Sequence, residues 1–178
     1  FSGSLQRPSL ALINCITRTD IKRLFIQQKF FQLPKVNKPS LFIMDSFSEL
    51  VDKQFEGRGN HVGVFNAYFS DIEKNKLDQL DSHDLISVED IFHTYFSFFN
   101  SFRKYSDCPI LFVFFPSELE KRETYNHRAN EIYVSIKKIE NLIPNFHTIE
   151  IPSKLVKHAK NDSNPYHFDK SVYAYLAD

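Results

Sequence analysis

Pro109-Ile110-Leu111-Phe112-Val113-Phe114-Phe115 is apolar at every consecutive position, with Pro109 at one end and Pro116-Ser117 at the other. A strand with one wetted face would alternate. A strand with no polar face must be covered on both sides, as the inner strands of a parallel sheet are. Upstream, Ser87 with Asp90 three residues later reads as a helix start of the capping-box kind. The helix it opens carries Ile91, Phe92, Tyr95, Phe96, Phe98, Phe99 and Phe102, an aromatic stripe suited to lying across that strand. Downstream, Ile132, Ile136, Ile139 and Leu142 form the apolar stripe of a helix over residues 128–142. A short strand over 146–151, a loop over 152–165 and a terminal helix over 168–176 complete that side.

Towards the amino end, Leu10-Ala11-Leu12-Ile13 reads as another buried strand, followed by a helix over 20–28 with Asp20 as its cap. Residues 40–44 form the next strand, ending at Asp45, and a helix over 47–55 follows. Residues 62–65 are a strand candidate among Gly57, Gly59 and Gly63, and 67–84 is a polar surface excursion. Strand and helix alternate five times, and parallel neighbours require crossover connections. The expectation is therefore one α/β domain over residues 1–178, a mainly parallel five-stranded sheet with helices on both faces. The opening Phe1-Ser2-Gly3-Ser4 is not a signal peptide and stands outside this reading.

Composition narrows the function. The 178 residues carry 22 Lys+Arg against 22 Asp+Glu. That balance lacks the basic excess a nucleic-acid or anionic-membrane binder uses to neutralise phosphates. No run approaches the ~20 apolar residues of a membrane span. Two cysteines, Cys15 and Cys108, are too few for a disulfide framework and point to a reducing, cytoplasmic setting. With 4 Gly, the chain has no Gly-x-Gly-x-x-Gly and no phosphate loop, and its histidines lack zinc-ligand spacing, so no cofactor or metal is expected.

Ligands of open parallel sheets bind beyond the carboxyl ends of the strands. That rule selects Asn14, Cys15 and Arg18 after the first strand, Asp45 and Ser46 after the second, Asn66 after the third, Ser117 after the fourth, and the loop Asn164-Pro165-Tyr166-His167. Imidazole titrates near neutrality, so His167 is either a general base or a helix-entry histidine bonded to backbone. Asp45 either caps the following helix or orients a ligand; Arg18 either grips a carboxylate or phosphate or is solvated. Asn14 and Cys15 sit where backbone N–H groups at a helix start favour an oxyanion.

Four blocks in order resemble the SGNH/GDSL hydrolase-like family, in the branch associated with bacterial capsule and surface polysaccharides. Leu12-Ile13-Asn14-Cys15-Ile16-Thr17-Arg18 is similar to its Gly-Ser-Cys-x-Ser/Thr-Arg motif, and Asp45-Ser46-Phe47-Ser48-Glu49 to its Asp-x-Tyr/Phe-x-Glu block. Phe114-Phe115-Pro116-Ser117-Glu118-Leu119-Glu120-Lys121-Arg122 resembles the exit of its fourth strand, and Pro165-Tyr166-His167-Phe168 its histidine motif. The resemblance implies a sheet ordered 2-1-3-4-5. It also implies an esterase or O-acyltransferase site acting on a bacterial polysaccharide or its precursor, with His167 catalytic and Tyr166 beside the substrate. Asn14 stands at the family's serine nucleophile and Asn164 where many members place the aspartate that orients histidine. An amide cannot attack an ester. The alternative is therefore a non-catalytic module binding a carbohydrate or a protein of a polysaccharide pathway.

Overall fold

A computed structural model describes Cys15, Thr17 and residues 39–59 and 63–177. The strand and helix expected over 10–13 and 20–28 lie outside the described residues, as do Asn14 and Arg18. The chain divides into two compact units, one containing residues 51–86 and the other containing 37–50 and 87–178.

In the larger unit, β1 (Phe42–Asp45), β5 (Ile110–Val113) and β6 (Phe146–Ile149) form a parallel sheet in the order β1-β5-β6. The all-apolar run supplies the middle strand, as its lack of a polar face requires. Ile110 and Phe112 are 0 % exposed. Residues alternate across a strand, so the run serves two cores. On one face Phe112 meets Tyr95 of α2 (Val88–Arg103) edge-on at 5.6 Å, and Phe114 meets Tyr133 of α3 (Glu123–Leu142) at 4.7 Å. On the other, Val113 clusters with Ile151, Val156, Phe168 and Val172, the last from α4 (Lys170–Ala177). This unit is an α/β structure built on a three-stranded parallel sheet.

Ser87 caps α2 as its spacing predicts, its hydroxyl accepting the Asp90 N–H at 3.0 Å. The α3 stripe is Ile132, Ile136 and Ile139, all buried, but Leu142 is 55 % exposed, and the helix begins five residues before the expected start. Arg103, in the last turn of α2, donates to the carbonyls of Ser106, Cys108 and Asn145. That guanidinium ties the amino ends of β5 and β6 to the helix.

The five-stranded parallel sheet is corrected by the other unit. After α1 (Phe47–Val51), the chain enters β2 (Lys53–Gly57), which pairs antiparallel with β3 (Val64–Ala67) and β4 (Leu80–Leu85) in a separate sheet ordered β3-β2-β4. The expected third parallel strand is thus a hairpin partner. Residues 58–63 are too few for a crossover, which needs a dozen or more. Gly59 and Gly63 adopt positive φ of 61° and 128°, which a turn between antiparallel strands can use. The helix expected to reach Phe55 stops at Val51, and Phe55 becomes the 0 % exposed centre of β2. The polar excursion over 67–84 is two 3₁₀ turns, Phe69–Asp71 and Lys74–Gln79, leading into β4. Phe55, Phe65, Ala67, Ile72 and Leu80 enclose Cys15, and Cys15 forms no disulfide.

Candidate active site at the carboxyl ends of the parallel strands

The carboxyl ends of β1 and β5 are bound to each other through the Ser46 side chain. Asp45 Oδ1 accepts the Phe47 N–H at 2.9 Å, so this carboxylate caps the start of α1. Ser46 is buried and its Oγ accepts the Phe115 N–H at 2.9 Å. Both residues were candidates for substrate contact. Each has an oxygen engaged with backbone, the Asp45 bond being local and the Ser46 bond joining the exits of β1 and β5.

Beyond β5 the chain turns on a Glu120 N–H to Ser117 carbonyl bond of 3.0 Å and presents Glu120 inward, 6 % exposed. A buried carboxylate must find charge and donors. Glu120 finds both: Oε1 accepts the Arg122 backbone N–H and Nε at 2.9 and 2.8 Å, while Oε2 accepts Arg122 Nη2 at 2.6 Å and the Tyr166 hydroxyl at 2.7 Å. The Arg122 bonds outweigh burial and hold its carboxyl down at about 2. Tyr166, raised above the usual phenol range mainly by burial, packs edge-on against Phe47 at 5.4 Å. Tyr166, expected beside the substrate, is buried with its hydroxyl bonded to Glu120. Phe168 packs on Phe115 at 5.1 Å.

His167 lies between Tyr166 and Phe168. Its backbone is therefore fixed at the carboxyl end of the sheet, where the topological rule placed it. Its imidazole is 59 % exposed, and Nδ1 contacts Asp162 Oδ2 at 2.7 Å. Nε2 has no hydrogen-bond partner among the described residues. The other oxygen of Asp162 accepts the Asn164 N–H at 2.8 Å. That backbone bond and then His167 hold the Asp162 carboxyl below its ordinary value. Asn164 instead accepts the Tyr166 N–H at 3.0 Å through Oδ1, closing the turn. The acidic partner of His167 is thus Asp162, five residues upstream and not at position 164. No family model, curated protein or solved structure matches this chain.

A cleft of about 250 Å³ opens at the exits of the strands, and neither His167 nor Asp162 lines it. Ser46, Phe115 and Ser117 line it from the strand exits, and Asn126, Asn130 and Tyr133 from α3. The helix reaches there because of its length. Its 20 residues span about 30 Å, whereas the four residues of β5 span about 13 Å. Of the expected residues, Asp45, Ser46, Ser117, Tyr166 and His167 belong to this unit. Cys15 and Asn66 belong to the other, with Cys15 buried and Asn66 exposed in an antiparallel strand opposite Gln54. The carboxyl-end rule for parallel sheets therefore does not apply to Asn66. Sequence reading missed Asp162 and Glu120, and it passed over Asn126, Ala129, Asn130 and Tyr133. Their i, i+3, i+4, i+7 spacing marks one face of a helix.

Proposed function

We propose that this chain is an SGNH/GDSL-like esterase or O-acyltransferase acting on an acyl ester of a bacterial polysaccharide or its precursor. The observation that carries the reading is the His167–Asp162 pair, with Nδ1 oriented by a carboxylate and Nε2 facing outward from a loop anchored at the sheet's carboxyl end. The strand order lends it no support: in the order 2-1-3-4-5 the second strand does not touch the fourth, whereas Phe42–Asp45 pairs directly with Ile110–Val113.

Asn14 has no hydroxyl, so the route is a direct one. His167 Nε2 takes the proton of an acceptor hydroxyl, water in hydrolysis or a sugar hydroxyl in transfer. The oxygen bonds to the acyl carbon, the carbonyl electrons move to oxygen, and the tetrahedral intermediate collapses with cleavage of the original ester bond. The departing alkoxide takes the proton back from the imidazolium. Asp162 fixes the ring and stabilises its charged form.

Acetylated saccharides and aryl acetates as substrates test this. His167→Ala should lower kcat/KM about 10²–10⁴-fold, the usual scale of general-base catalysis. Asp162→Asn should lower it less, through kcat rather than KM. Absence of turnover in the natural chain, with none gained on Asn14→Ser, would remove the catalytic reading. The amide-rich cleft favours the second reading, a non-catalytic glycan-binding module, and binding that survives His167→Ala without turnover would select it.

A further inference from the structure

The lining of the cleft has a chemistry that can be specified. Two walls of different origin meet in it. The exits of β5 and β6 contribute Ser117, Glu118 and Glu150, and α3 contributes Asn126, Asn130 and Tyr133. Phe114 and Tyr133, in contact at 4.7 Å, give it an aromatic side. Among the described residues, no lysine, arginine or histidine lines it.

The hydrogen-bonding groups there are only partly engaged. Asn126 donates through Nδ2 to the Glu120 carbonyl at 2.9 Å, which leaves its Oδ1 available. Tyr133 donates its hydroxyl to one oxygen of Glu150 at 3.0 Å, and Ser153 donates to one oxygen of Glu118 at 2.8 Å. The second oxygen of each carboxylate, the Asn130 amide and the Ser117 hydroxyl make no side-chain bond among the described residues. Such a set offers donors and acceptors interleaved over an aromatic surface.

Charge and size then select the ligand. A phosphate, carboxylate or nucleotide would meet two carboxylates and, among the described lining residues, no cation, so its desolvation would go largely uncompensated. A cation is disfavoured by the state of the carboxylates. Glu150 already faces Lys137 Nζ at 3.9 Å, and no group of three or more metal-ligating side chains converges among the described residues. At about 250 Å³, the cleft falls below the ~300–1,000 Å³ of sites for drug-sized ligands. It has room for one ring carrying several hydroxyls.

We infer that this cleft binds a single uncharged saccharide ring, its hydroxyls held by Asn126, Asn130, Ser117 and Glu118 and its apolar face laid on Phe114 and Tyr133. The inference names the substrate side of the reading above. It rests on that reading only in joining the cleft to His167 through Phe115, which lines the cleft and packs on both Tyr166 and Phe168.

Saturation-transfer NMR on the whole chain tests it with neutral methyl glycosides of glucose, galactose and N-acetylglucosamine. Glucose 6-phosphate, methyl glucuronide and glucosamine serve as charged counterparts. At least one neutral glycoside should bind with a Kd on the order of 1 mM, weakened about tenfold or more by Asn130→Ala and by Glu118→Ala. Both positions are exposed, so unchanged thermal unfolding of the variants separates lost contact from lost fold. Binding by none of the neutral glycosides, binding indifferent to both variants, or tighter binding of a charged sugar would each overturn the inference. His167→Ala should leave this affinity within about twofold. Neutral-sugar binding without esterase turnover would therefore sink the catalytic reading and leave this one standing.

Discussion

Glu120 is the charged group most completely enclosed at the candidate site, and replacing it with glutamine has a pH dependence that can be worked out beforehand. Its carboxyl stands at about 2 in the folded chain against an ordinary 4.5, because Arg122 and Tyr166 donate to the charged form. The folded state therefore binds this proton less readily than the unfolded state. The resulting stability is complete above about pH 4.5 and disappears as pH falls towards 2. A displacement of that size corresponds to at most about 3 kcal/mol. The Arg122 side chain is 54 % exposed, so solvent screens the pair and about 1–2 kcal/mol is expected. The assay is urea unfolding of the natural chain and Glu120→Gln at several pH values between about 6 and 2.5. Other carboxylates titrate equally in both proteins, so the difference between the two isolates Glu120. The natural chain should lead by about 1–2 kcal/mol near pH 6, with the lead shrinking through the acid range. A difference that stays constant from pH 6 to 2.5 would refute the argument that an ionised Glu120 holds the loop.

Two further outcomes follow from the packing and the electrostatics. Phe112 is 0 % exposed and contacts Tyr95, Phe114 and Phe146, so Phe112→Ala should cost about 3–5 kcal/mol in chemical denaturation. Carbon-13 NMR titration should find the Asp162 carboxyl below the ordinary aspartate range, moving only part of the way back in His167→Ala, because the Asn164 N–H is the larger cause.

The sheet's middle strand was readable at Pro109–Phe115 because a strand covered on both faces leaves a mark that needs no partner to interpret. The Ser87 cap and the isoleucines of α3 were readable for a like reason, since both are local periodicities. β2 and β4 were not. Lys53-Gln54-Phe55-Glu56-Gly57 is too short for its period to separate strand from helix, and Leu80-Asp81-Ser82-His83-Asp84-Leu85 is polar at its four central positions. β2 is a strand through its pairing with β3 and β4, and β4 through its pairing with β2. His167 was found through Pro165 and its place in the chain. Its partner was missed because Asp162 comes within reach only when the turn at Asn164 folds back.

Local pattern thus determined which segments are apolar, where two helices begin and that the larger unit is an α/β structure. Hydrophobic periodicity is a property of neighbouring residues and survives without a fold. Only tertiary structure decided the antiparallel second sheet, the enclosure of Glu120, the choice of Asp162 over Asn164 and the cleft beside α3. These depend on pairing, on chain reversal and on the difference in length between a helix and a strand. Such quantities exist only once distant segments are side by side.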